Sequence, residues 1–300
     1  MSVWSAGLLR MVERDKEKVM RVSLPRPLIS AEALRQEITQ GATLTILDCR
    51  ASLTDPGAGI AAWMASHIPG SVHFDLHRDM AGAPGAAGRF PLPNRREFVH
   101  RLHQLGIHPG VTLVVVDDAG GTRAAARAWW LLHCWAGHPD VRVLDGGLTH
   151  WTACGRALTS GAAPTTPFVA SDWTPDFRNG HLISAEEVLS NPHLQLTDGR
   201  SRERYSGAHE PLDNRAGHIP GAACRPCRLN LTREGVFKAP DQLRAELMSG
   251  EKQVVAYCGG GVAACHTILA YRVAGLALPR LYIGSWSHWI QDPTRPVSVG

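Results

Sequence analysis

No apolar run in these 300 residues approaches the roughly 18 needed to span a bilayer, and no secretory pattern of basic start, apolar stretch and small-residue cleavage site opens the chain. Nor is there a Lys/Arg block dense enough to track a nucleic acid or a membrane surface. The 31 Lys and Arg against 27 Asp and Glu leave a mild +4 and a pI near 8.8, a balance suited to anionic small molecules and to no nucleic-acid or membrane partner. Seven cysteines at irregular spacing do not make a disulfide framework, so free thiols in a reducing cytoplasm are expected. Residues 1–24 mix acids and bases, and Glu13, Asp15 and Glu17 argue against a transit peptide. They are read as an N-terminal extension, with Met20 a second candidate start.

What the chain does hold is an ordinary globular composition, 44% hydrophobic and 19% charged, at a length that suggests two domains. It also resembles itself. "LTILDCRAS" returns as "LQLTDGRSR", pairing Asp48 with Asp198. "HIPGS" returns as "HIPGA", pairing His67 with His218, and "LDGGLTHW" returns as "YIGSWSHW", pairing Trp151 with Trp289. Three landmarks in one order at a domain-sized period indicate a tandem duplication. A Pro-, Gly-, Ser- and Thr-rich stretch at 159–179 reads as the linker, leaving domain one at 25–158 and domain two at 180–300.

Each half alternates short apolar runs with helical patterns. In domain two, Ser184 with Glu187 makes a capping box before "AEEVLS", and the strand "LQLTD" follows. The helix "APDQLRAELMS", the strand "QVVAY", the helix "VAACHTILAYRVAG" and the strand "RLYIG" come after it. Alternation of this kind predicts an α/β fold, a mainly parallel sheet with helices on both faces in each half. Ligands of such sheets sit beyond the carboxyl ends of the strands, and Cys258 is placed there.

The loop "CGGGVAAC" lacks what most glycine loops need. It has no Gly-Lys-Ser/Thr for a P-loop. Ala264 stands where a phosphatase-type loop has arginine six positions past the cysteine. Gly259, Gly261 and Ala264 fit a dinucleotide fingerprint, but "RLYIG" ends without the acidic residue that would hold a ribose. Two readings remain, a tight turn with an inert cysteine and a thiolate nucleophile in a cradle of amides. In the second, Gly259, Gly260, Gly261 and Val262 turn their N–H groups inward and the following helix start adds positive potential, stabilising an anion at the Cys258 sulfur. The matching loop of domain one, "VVVDDAGGTR", offers Asp117 or Asp118 and no thiol, so domain two alone is expected to be active.

Together the tandem copies, "GHIPGA", "DGR", the Cys-glycine loop and "GSWSHW" resemble the two-domain rhodanese-type sulfurtransferases, the thiosulfate and 3-mercaptopyruvate sulfurtransferase family. The resemblance implies two tandem rhodanese-like domains, the first without the catalytic cysteine. It implies that Cys258 takes sulfur from a small anionic donor as a persulfide and passes it to cyanide or a thiol, with no metal and no organic cofactor. Arg204 in "RERY" and Arg215 in "DNRAGHIPG" align with the family's donor-binding arginines, whose planar guanidinium suits a carboxylate or sulfonate. Arg200 is expected to pair with a local carboxylate. His67 either contributes at the interdomain cleft, as its counterpart does in mercaptopyruvate-type enzymes, or holds its own turn, as does His218. Gly260 stands where those enzymes carry a serine.

A loop without basic side chains favours 3-mercaptopyruvate over thiosulfate, and Gly260→Ser is expected to raise activity with the former. The alternative is a low-turnover persulfide carrier or a sulfur- or partner-binding protein. Cys224 and Cys227 could be a redox pair or pocket lining, and too few further ligands surround them for zinc. Cys265 is expected in the core, Cys49, Cys134 and Cys154 in structural positions, and His100 and His103 on a solvated helix face.

Overall fold

The computed structural model describes residues 26–162, 170–247, 250 and 252–300; the N-terminal extension and the centre of the linker lie outside them. Runs such as Thr112-Leu-Val-Val-Val and Val254-Val-Ala-Tyr are too short and too β-branched for helices, and are apolar on both faces. They form the middle of two parallel sheets. Domain one contains β1 (Leu28–Ile29), β2 (Leu44–Asp48), β3 (Val72–His73), β4 (Thr112–Val116) and β5 (Val141–Leu144), ordered β1-β5-β4-β2-β3. Domain two contains β6 (Gln195–Asp198), β7 (Ala223–Cys224), β8 (Val254–Tyr257) and β9 (Arg280–Leu281), ordered β7-β6-β8-β9. The counterpart of β1 shrinks there to a single parallel bridge, Leu182 to Leu281. The two orders are otherwise the same.

The duplication extends to side chains. Arg50 grips Asp48 and the carbonyl of Ser66, and Arg200 grips Asp198 and the carbonyl of Gly217. His67 stacks on Trp63 and bonds its carbonyl through Nδ1 at 2.7 Å; His218 stacks on Tyr205 and bonds its carbonyl at 2.9 Å. The capping box of Ser184 and Glu187 opens the helix Ala185–Ser190 as expected. The helices Pro240–Glu246 and Ala263–Val273 also fall where the sequence places them.

The halves share one hydrophobic core. The helix Ala124–Trp129 and its wider π-helical continuation Trp130–Trp135 bury Trp129, Trp130 and Trp135 together with Cys265, Ile268 and Leu269 of domain two's helix Ala263–Val273. Alanines at 124, 125, 126 and 128, all buried, keep this helix slim enough for its neighbours to approach closely. Arg127, also from domain one, is wholly buried between the halves. Its Nη1 donates to the carbonyl of Gly261 at 3.3 Å, and its Nη2 donates to those of Met80, Phe90 and Pro91 at 3.1–3.3 Å.

His266 lies at the same seam, stacked on Phe237 with Nδ1 3.3 Å from the Asn230 amide. Burial pushes its pKa from 6.5 down to about 3. An unfolded chain takes up this proton near pH 6.5, the folded chain only near 3. Stability should therefore be constant in this respect above about pH 6.5 and fall below it, by up to about 1.4 kcal/mol per pH unit. Urea midpoints measured across that window should show the loss, and His266→Gln should flatten it; an unchanged slope in the variant would assign the acid loss to other groups.

Candidate active site at the end of strand β8

Strand β8 ends at Tyr257 and Cys258 follows at once, 3% exposed. Two contacts turn the chain here. The carbonyls of Cys258 and Gly259 accept from the N–H groups of Trp286 and Ser287 at 2.9 and 2.8 Å, so the loop is fastened outward to the helix Ser285–Trp289. At Gly261, φ is +77° and a Cβ would sit 2.3 Å from the Ile283 carbonyl oxygen, which only glycine permits. With the carbonyls tied outward, the N–H groups of Gly259, Gly260, Gly261 and Val262 have no acceptor among the described residues.

The corresponding turn of domain one shows the same cradle filled. Asp117 follows β4 as Cys258 follows β8, and its carbonyl accepts from Leu148 as that of Cys258 does from Trp286. Its carboxyl oxygens accept from the N–H groups of Ala119, Gly121, Arg123 and Ala125 at 2.8–3.3 Å. Burial raises the Asp117 carboxyl above its ordinary range while the N–H groups of Gly121, Ala119 and Ala125 pull it back. Of the two acids open in the sequence, Asp117 holds the cysteine's position, and Asp118 lies outside the cradle.

Cys258 is itself held by Ser285. Its N–H donates to Ser285 Oγ at 3.1 Å, and that hydroxyl donates to the Tyr282 carbonyl at 2.9 Å. Ser285 is buried and sits at φ +53°, the one non-glycine residue in left-handed conformation among the described residues. Glycine does this work in domain one, where Gly147 has φ +60°. Strain kept at such a position commonly serves a site.

Arg204, on the short helix Arg202–Ser206, reaches the loop. A Cβ on Gly259 would meet its Nη2 and Nη1 at 3.1 and 3.2 Å. It also belongs to a chain of ion pairs. Asp198 binds Arg200 at 2.7 Å, Arg200 binds Glu210 at 3.3 Å, Glu210 binds Arg204 at 2.8 Å, and Arg204 binds Asp213 at 3.1 Å. Asp213 then binds Arg89 of domain one at 2.7 Å. Burial alone would raise the Glu210 carboxyl, but Arg204 and Arg200 hold it below its usual range.

The other candidates separate. Arg215 is half-buried with no ion pair among the described residues, and its backbone carbonyl takes the Trp286 indole N–H. His67 is buried in domain one on Trp63, with its backbone paired to Thr159. Those contacts favour the turn-holding alternative for His67. Gly260 is not free space, since a Cβ there would lie 3.0 Å from the Phe90 ring and 3.5 Å from Arg89 Cβ. Cys265 lies in the core, as expected, and desolvation pushes its thiol up to about 12. Desolvation and the neighbouring Cys258 sulfur do the same to Cys227. Cys154 is exposed rather than structural, its sulfur 3.6 Å from His150 Nε2. His100 is solvated, whereas His103 Nε2 donates to the Trp173 carbonyl at 2.8 Å and tethers the linker. Ser285, Arg89 and the paired acids Glu210 and Asp213 were not among the sequence candidates.

The site is thus a single thiol in an open amide cradle, at a strand end of a parallel α/β protein built of two copies. The family described as "Rhodanese-like domain" matches residues 30–154 and 183–292, and the chain belongs to that family. It is 43% identical over 285 residues to a probable 3-mercaptopyruvate sulfurtransferase of Pseudomonas aeruginosa, covering 91% of this chain and 98% of that one. It is 36% identical over 279 residues to a putative thiosulfate sulfurtransferase of Mycobacterium tuberculosis, covering 91% and 97%. Among solved structures, SseA from Escherichia coli, described with the fold and mechanism of 3-mercaptopyruvate sulfotransferases, superposes with a TM-score of 0.74 at 28% identity, covering 87% of this chain and 99% of that one. The 3-mercaptopyruvate sulfurtransferase from Leishmania major does so with 0.77 at 27% identity, covering 87% and 74%.

Ser285→Gly separates positioning from folding. It relieves a left-handed conformation costing about 1 kcal/mol and loses a hydrogen bond worth about the same, so the urea midpoint should hardly move. Sulfur transfer should fall about ten- to a hundredfold as the loop loses its anchor. Unchanged kinetics would show that Ser285 has no positioning role.

Proposed function

We propose that this chain is a sulfurtransferase that draws sulfur from 3-mercaptopyruvate in preference to thiosulfate, carries it as a persulfide on Cys258, and passes it to cyanide or a thiol. The observation that supports this most is the pair of matched cradles. One closes on its own carboxyl group, while the other surrounds a cysteine and keeps its N–H groups unspent. The relatives' names as 3-mercaptopyruvate and thiosulfate sulfurtransferases point the same way.

In the proposed reaction the Cys258 thiolate attacks the donor's thiol sulfur. An S–S bond forms as the donor C–S bond breaks, and the electron pair leaves on carbon as the pyruvate enolate, which protonation completes. Amides of the loop suit that developing oxyanion, and Arg204 suits the carboxylate. The acceptor then attacks the outer sulfur and frees the thiolate. The ion-pair chain bears on donor choice. Arg200, Arg204 and Arg89 are matched by Asp198, Glu210 and Asp213, so it adds no net positive charge for the second charge of thiosulfate.

Incubation with either donor followed by cyanide, reading thiocyanate, tests the activity, and native mass spectrometry reads the added sulfur. A higher kcat/KM for thiosulfate would overturn the donor assignment. Cys258→Ser should abolish loading and turnover. Cys227 and Cys265 stay protonated at neutral pH, being pushed up to about 12, and are poor substitutes; persistent transfer in the variant would mean that another residue is the nucleophile.

Arg204→Ala should lower donor kcat/KM by roughly ten- to a hundredfold, from the loss of a contact worth about 1.5–3 kcal/mol. The same change leaves Glu210 to Arg200 alone and Asp213 to Arg89 alone, so the rates are to be compared at matched folded fractions. Unchanged donor kinetics would remove Arg204 from the site. The gain expected from Gly260→Ser does not follow from this geometry, because a side chain there must first displace Phe90.

A further inference from the structure

The segment Gly88-Arg89-Phe90 of domain one lies directly on the cysteine loop. A Cβ on Gly88 would meet the Gly284 carbonyl oxygen at 2.8 Å. The Arg89 N–H donates to Ser287 Oγ at 3.0 Å, and Phe90 covers Gly260. Arg89 therefore enters the site from the half that has no thiol. Its Nη2 holds both oxygens of Asp213 at 2.7 and 2.8 Å, and its Nη1 holds the Leu212 carbonyl at 3.1 Å.

Asp213 also binds Arg204 Nη2, so one carboxylate anchors two guanidinium groups side by side. Their bonded edges face Asp213 and Glu210. What remains is Arg89 Nε, 3.7 Å from where a Gly260 Cβ would be, and Arg204 Nη1, 3.2 Å from where a Gly259 Cβ would be. Neither has an acceptor among the described residues. Both donors lie against side-chain-free positions of the loop, where an anion seated on the amides would meet them.

We propose that Arg89 is a donor-binding residue, and that the second guanidinium meeting the donor's carboxylate comes from domain one rather than from Arg215. The inference rests on the sulfurtransferase reading for the identity of the donor, but not for the presence of an anion site beside Cys258. Asp213 holds the pair in place at no cost in mobility when the donor arrives, a preorganisation that favours binding. The arrangement also assigns domain one a chemical contribution to the site.

Alkylation of Cys258 by iodoacetate and by iodoacetamide tests this without turnover. The reagents differ in charge alone to a first approximation, and the neutral one reports any change in loop position or thiol reactivity. Arg89→Gln should lower the iodoacetate-to-iodoacetamide rate ratio about tenfold, and Arg89→Lys, which keeps the charge, should recover part of it. In donor kinetics Arg89→Gln should raise KM more than it lowers kcat. An unchanged ratio, or equal loss with both reagents, would overturn the proposal and leave Arg89 as an interface residue. A ratio that falls in Arg215→Gln but not in Arg89→Gln would overturn it in favour of Arg215. Failure of both donors to load wild-type Cys258 would sink the reading of Cys258 as the sulfur carrier while the alkylation ratio still decides Arg89.

Discussion

A turn that points several backbone N–H groups at one spot must supply that spot with an acceptor, because buried donors left unpaired cost about 1–3 kcal/mol each. Both halves of this chain build such a turn after their central strand. The outward fastening of the loop carbonyls creates the requirement, and the neighbouring helix starts at Leu148 and Trp286 enforce it. Domain one meets it with hydrogen bonds to its own side chain, the Asp117 carboxylate. Domain two sets a cysteine at that position and leaves the N–H groups of Gly259 to Val262 without an acceptor among the described residues. The difference between a filled and an open cradle comes down to one residue in the same frame.

Around that frame the charged groups are arranged to be silent until something arrives. Asp198, Arg200, Glu210, Arg204, Asp213 and Arg89 alternate in sign from the strand end to the neighbouring domain. Buried pairs of this kind add little net stability, but they fix geometry. Arg204 cannot swing away from the loop without abandoning two carboxylates.

Much of this was legible in the sequence. The capping box at Ser184, the strand Val254–Tyr257 and the helix starting at Ala263 follow from local pattern, since short-range propensity and burial agree there. Cys258 could be found because glycine after glycine at a strand end has few explanations. Arg89 could not be found. Its partner Asp213 lies more than a hundred residues away, and nothing local distinguishes it from the exposed arginines nearby. Ser285 was hidden differently. It stands in a motif that was noticed, yet its left-handed backbone is a property of the turn and leaves no mark on residue type. For His67 the tetrapeptide left two roles open, because it says where a histidine occurs and not which way its ring faces.

The core that joins the halves has a consequence for how such a duplicated chain can change over time. Trp129, Trp130 and Arg127 of domain one are covered by domain two, so a gene broken at the linker would encode two pieces with large apolar faces open to water. Deleting the first copy would strip the second of the segment that covers its cysteine loop and of Arg89 at once. The first half can thus lack a thiol but not be absent, because the shared core ties residues on both sides of the linker to one another.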